Sequence, residues 1–194
     1  MTAPLDAGGG QEDSTTVLRW TAWEGDGHEH AMLSETPRGL DLRGVVAARS
    51  FGLSYRIALD AQWRTRSVEV ETTAGRRLSL AADGAGRWTA DGAPIPALDG
   101  CLDVDLEATP ATNALPVRRL ALEVGAAAEI RAAHVLVPGL EARAARQRYA
   151  RTGRGLYRYE GLDTGAAAEI EVDGSGFVVS YPGAFRRSAG EWRA

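Results

Sequence analysis

Beyond Thr16 the chain alternates apolar and polar residues, and that rhythm confines it to antiparallel β structure. Val68 and Val70 alternate with Glu69 and Glu71, and Leu78 and Leu80 straddle Ser79. Leu102, Val104 and Leu106 alternate with Asp103, Asp105 and Glu107. Leu120, Leu122 and Val124 alternate with Arg119, Ala121 and Glu123, and Ile170 and Val172 sit among Glu169, Glu171 and Asp173. Period-two alternation marks strands with one face buried. Turn pairs punctuate the runs: Ala74-Gly75, Asp83-Gly84, Asp91-Gly92, Asp99-Gly100 and Asp173-Gly174. The spacing predicts a meander of at least about ten strands, and a sheet that long must curl or close.

Two segments depart from this pattern. In Glu107–Pro116, Thr109 is placed to cap a helix with Pro110 at its first position. Pro116 should hold that helix to a turn or two unless it restarts beyond. Gly125–Arg151 is alanine-rich, and propensity alone reads it as two helices split at Pro138-Gly139. Alternation reads it as strands, with Gln147 and Tyr149 set against Arg146 and Arg148. Its strand-like flanks favour strands.

The 194 residues suit one domain, read here as residues 17–186 between tails at 1–16 and 187–194. The first tail is Gly-rich and polar, the composition of disorder, and has neither the basic nor the apolar region of a signal peptide. No run of about 20 apolar residues exists. The expected location is cytoplasmic. Net charge is −4, so the basic footprint of a nucleic-acid binder is lacking. All 22 basic residues are Arg, which excludes lysine Schiff-base and P-loop chemistry. The lone Cys101 excludes an internal disulfide and reads as a small hydrophobe. No cofactor is expected. His28-Glu29-His30 would put two imidazoles on one face of a strand, but two ligands hold a metal weakly, and the stretch reads as a solvated loop.

The motifs of nucleophilic catalysis, zincins, dinucleotide sites and kinases are missing. The informative polar residues are carboxylates in strands. Asp103 and Asp105 project from one strand face about 7 Å apart. Facing water they are ordinary charges. Lining a concavity, they form a floor that accepts hydrogen bonds from sugar hydroxyls, or the acid and base of a glycosidase. Asp99 lies in the same stretch, and Asp60 opens a second cluster, Asp60–Arg66. Trp63 offers a flat apolar face; Arg64 and Arg66 lie on one side of a strand and pair most simply with aspartates. Of Arg118 and Arg119 at most one can enter an apolar interior, and it would need a carboxylate partner there.

Taken together the motifs form a longer pattern. Asp60-x-x-Trp63-Arg-Thr-Arg66 is followed by Gly86-Arg-Trp88 and Asp91-Gly92. Leu98-Asp-Gly-Cys-Leu-Asp-Val-Asp105 and Thr109-Pro-x-Thr-Asn113-x-Leu-Pro-Val-Arg-Arg-Leu120 come next. Gln147-x-Tyr149, Tyr157-x-Tyr159, Val172-Asp and Tyr181-Pro182 complete it. In order and spacing the string resembles the bacterial glycolipid-binding family, formerly a domain of unknown function, over about Leu18–Phe185. The resemblance implies a mainly β fold: a large curved antiparallel sheet, a partial barrel, wrapped around a single α-helix and remotely like the lipoprotein localisation factors. It implies a tight homodimer and an acidic pocket like those of sugar- and phospholipid-binding proteins. On that basis Asp60, Asp99, Asp103 and Asp105 are expected to supply acidity, with Trp63, Tyr149 and Tyr159 as stacking surfaces. Arg64, Arg66, Asn113, Arg118 and Arg119 are expected to be structural. The expected function is binding of a glycolipid or related amphiphile, with a role in glycolipid metabolism. The alternatives are an enzyme acting on a sugar or lipid headgroup through paired aspartates, and a structural or regulatory homodimer without ligand.

Overall fold

The computed structural model describes residues 14–37 and 39–188. Eight strands follow one another as a meander: β1 (Thr15–Ala22), β2 (His28–Thr36), β3 (Gly39–Ala47), β4 (Gly52–Leu59), β5 (Thr65–Thr72), β6 (Arg77–Ala82), β7 (Trp88–Ala90) and β8 (Ala93–Pro94). β9 (Asp103–Leu106) leads into a 3-10 turn at Pro110–Asn113 and helix α1 (Ala114–Leu120). Six more strands complete the chain: β10 (Ala127–Val135), β11 (Ala142–Gly153), β12 (Leu156–Gly161), β13 (Ala166–Val172), β14 (Val178–Tyr181) and β15 (Phe185–Arg187). The alanine-rich segment is therefore β10 and β11, as alternation predicts and helix propensity does not. Of the expected tails at 1–16 and 187–194, residues 1–13 and 189–194 lie outside the described residues. β1 starts at Thr15 and β15 ends at Arg187, each slightly beyond the limits expected for the folded part.

All fifteen strands form one sheet, ordered β8 through β1, then β15 back through β9. Every pairing is antiparallel except β9 on β10. The sheet is open, but it curls until the edge strand β9 meets β5. There Thr65 N donates to Leu102 O at 3.0 Å, and Val104 N donates to Thr65 Oγ1 at 2.9 Å. A sheet of this length relieves its twist by curling. Among the described residues no helix is long and apolar enough to cross a membrane.

The helix lies within this curl. Thr109 caps the 3-10 turn by accepting from Ala111 N at 2.9 Å. Pro116 does not stop α1, because it is the third helical residue, where an N–H has no partner to lose. Ala114, Leu115, Pro116 and Val117 are buried. Leu115 packs with the β1–β6 half of the core, and Val117 with Tyr149, Tyr157, Ile170, Val172 and Val178 on the other half. The alternation at Leu120–Val124 forms no strand. Ala121 takes a left-handed conformation (φ +45°) that ends α1, and Val124 stands exposed in the turn to β10.

Candidate functional site

The inward row across β1, β2 and β3 contains one residue out of character. Trp20 pairs with Glu29, and Glu29 with Val46, so all three share the concave face. Glu29 is 6% exposed. Its Oε1 accepts from Tyr55 Oη at 2.6 Å and from Thr109 Oγ1 at 2.6 Å. Its Oε2 is buried with no hydrogen-bond partner among the described residues. Burial pushes the carboxyl up to about 7, against the pull of the two hydroxyls. Glycine at position 44 makes this possible, because a Cβ there would stand 2.5 Å from the Tyr55 ring and hydroxyl. Tyr55 can thus lie across β3 toward β2.

Glu29 lines a pocket of about 300 Å³. Buried Trp20, Val46 and Ala108 lie deepest, and Phe51, Val137 and Phe185 continue the wall. His28 and Glu107 are exposed and mark the mouth. Glu107 Oε2 is engaged there by Val137 N at 2.9 Å. Apolar walls around a few placed polar groups are the usual composition of a small-molecule site, and this volume is at the small end of that range. The solvated loop expected at His28-Glu29-His30 is instead the start of β2. The His30 imidazole points outward, its Nδ1 accepting from Arg19 Nε at 3.3 Å, while Glu29 points in. The signal was its phase with Ala31 and Leu33, both buried.

None of the seven residues expected to contact ligand is in the lining of this pocket. Asp60 organises a turn, its Oδ1 accepting from Gln62 N and Arg64 N, and its Oδ2 lies 3.9 Å from Arg66. Arg64 donates to Gly84 O at 3.3 Å. Asp99 is exposed after a 3-10 turn at Pro96–Leu98. Trp63 is buried against Phe177 with Arg118 stacked on it. These three are not brought together with the rest.

Asp103 and Asp105 do face inward, but each is engaged. Arg119 grips Asp103 with two bonds, of 2.9 and 2.5 Å. The pair matches the expectation that an inward Arg needs an acid, although Arg119 comes from a helix. Burial pushes the Asp103 carboxyl up while Arg119 pulls against it, and the pair holds Arg119 above its ordinary value. Asp105 accepts from Gln147 Nε2 at 2.6 Å, and burial raises its carboxyl too. Beside it Asn113 Nδ2 donates to Tyr149 Oη at 3.0 Å. Tyr149, Tyr159, Tyr181 and Phe185 then form a ladder to the pocket wall, with centroids 5.4, 6.2 and 6.5 Å apart; the first and last contacts are edge to face and the middle one is tilted. Ala168 opposite Tyr159 leaves room for this ladder across β13. Burial, then the charge of Asp105, pushes the Tyr181 hydroxyl up to about 12.

The profile of the family described as "Putative glycolipid-binding" matches residues 17–187. The chain belongs to this family. A crystal structure of a DUF1089 family protein from Pseudomonas aeruginosa is similar to this glycolipid-binding family member over 96% of this chain and 100% of that one. The two are 37% identical, with a TM-score of 0.68. No curated protein matches.

Proposed function

We propose that the protein binds a glycolipid or related amphiphile without catalysis, in the pocket that contains Glu29, as part of glycolipid metabolism. The observation that carries this reading is a buried carboxyl with one unengaged oxygen inside an otherwise apolar hollow. An apolar tail segment would fill the space between Trp20, Val46 and Phe185. When protonated, Glu29 carries its proton on Oε2, because Oε1 already accepts two hydroxyls. That O–H is a donor awaiting an ester carbonyl or a sugar oxygen. Leaving a buried donor unpaired costs about 1–3 kcal/mol, which a ligand acceptor would recover. The expected paired-aspartate chemistry is less well supported, because Arg119 and Gln147 occupy Asp103 and Asp105.

The test is incubation with bacterial lipid extract followed by native mass spectrometry. Wild-type protein should retain a lipid mass, and Val46→Trp, which fills the pocket, should not. No retained lipid across repeated extracts would reject the reading. We also propose a cytoplasmic homodimer, meeting its ligand at the inner leaflet or as a precursor. Supporting the dimer, Val17, Met32 and Val45 are exposed on the outer face of three adjacent strands. Met32→Glu should then give a monomer by analytical ultracentrifugation.

A further inference from the structure

A second hollow, of about 660 Å³, shares no lining residue with the Glu29 pocket. It lies between the end of α1, the β11–β12 turn and the 173–176 turn, and three of its lining residues are Arg118, Arg151 and Arg154. Its one carboxylate, Asp173, is already engaged: Oδ1 accepts from Ser175 N and Phe177 N, and Oδ2 from Arg187 Nη1 at 2.6 Å. Among the described residues none of the three arginines forms an ion pair with a carboxylate.

Two of these cations are held in place. The Arg118 guanidinium lies 5.0 Å from the centre of the Trp63 ring. Its stem passes under Gly176, where a Cβ would stand 2.9 Å from Arg118 Cδ. Arg151 donates through Nη1 to Leu122 O at 2.8 Å and lies 5.9 Å from the Tyr157 ring centre. Its Nε is buried and has no partner. Arg154 stands exposed on the turn at the rim. Fixed like charges around a concavity repel one another and draw in an anion. Guanidinium forks match the oxygens of a phosphoryl group, and its double charge suits three cations better than a single carboxylate does.

We propose that this hollow is an anion site for a phosphoryl group, either free phosphate or the phosphate of a sugar or lipid headgroup. Calorimetric titration of the full chain with inorganic phosphate, glucose 1-phosphate and a short-chain phosphatidic acid below its micelle concentration tests it. Saturable binding at millimolar phosphate is expected. Tighter binding of the sugar phosphate or of the phosphatidic acid assigns the source to that headgroup, and equal binding of all three assigns it to phosphate alone. Arg151→Gln and Arg154→Gln should each weaken binding about tenfold, the loss of one charge-assisted hydrogen bond. Arg154 makes no structural contact that the fold needs, so its variant keeps the test valid if Arg151→Gln misfolds. No saturable binding, or unchanged binding in Arg154→Gln, would overturn the site. Lipid retention in the first pocket is measured separately, so either proposal can fail alone.

Discussion

The β9–α1 region and the β1–β3 region each bury a carboxylate, and they treat it differently. Asp103 receives a guanidinium with two hydrogen bonds, so its charge is matched where it lies. Glu29 receives two neutral hydroxyls on one oxygen and nothing on the other. A buried carboxyl without a counter-charge is pushed toward its neutral form by desolvation, which its hydrogen bonds offset only in part. The first arrangement explains itself as architecture, joining helix to sheet edge. The second ties β2 to β4 and to the Thr109 turn but leaves one oxygen unmatched, and the proposed binding rests on that oxygen.

The largest expected effect breaks the first region. Arg119→Met leaves Asp103 buried and unpaired, which should cost about 3–5 kcal/mol of stability at neutral pH. Denaturant midpoints would measure it. The loss should shrink in acid, as Asp103 takes up a proton, and Asp103→Leu with Arg119→Met should recover most of it. A loss under about 1 kcal/mol would place this pair among the weak surface bridges.

The next effect concerns pH and Glu29. Its carboxyl stands near 7 in the fold and at 4.5 as a free side chain. The folded state therefore binds the proton more tightly. Its stability contribution is fully present below pH 4.5 and lost as pH rises through about 7. The loss is on the order of 3 kcal/mol. Glu29→Gln should flatten this part of the curve and stabilise the protein at pH 8. Asp103 and Asp105 are also raised, so the difference between the two curves, not either alone, isolates Glu29.

The same contrast separates what was legible in the sequence from what was not. Most strands read from alternation survive, including β10 and β11, because the pattern and the burial are both local; Leu120–Val124 is the exception, since it ends a helix. That an inward arginine needs an acid was legible, but the acid itself, Asp103, read as a ligand group, because the helix that carries Arg119 to it was not placed by the alternation. Glu29 was obscured by its neighbours: Gly25-Asp-Gly27 reads as a loop, and two histidines draw the eye to the wrong face. The pocket itself joins β1, β2 and β3 to Ala108, Val137 and Phe185, a meeting made by the curl and visible in no short stretch. Asp60 looked like a ligand group, yet its side chain is spent on its own turn, a common fate for aspartate beside strand ends.

A smaller effect tests how Tyr55 reaches the acid. Gly44→Ala sets a methyl against the Tyr55 ring, and overpacking of this kind costs about 1–3 kcal/mol. Thermal melts should show the loss, and Tyr55→Ala made alongside should remove the extra penalty of the methyl.

The smallest effect is the most specific to Glu29. Tyr55→Phe deletes one donor to Oε1 and leaves the Thr109 hydroxyl in place. The stability cost should be only about 1 kcal/mol. The titration should move further than the stability. The Tyr55 hydroxyl lowers the Glu29 carboxyl, so its removal must raise it above about 7. Carbon-13 NMR of the Glu29 carboxyl reads this directly. A downward or absent shift would mean that water reaches the acid and that the hydroxyls do not control it. The proposed ligand recognition, which rests on a desolvated carboxyl, would then lose its support.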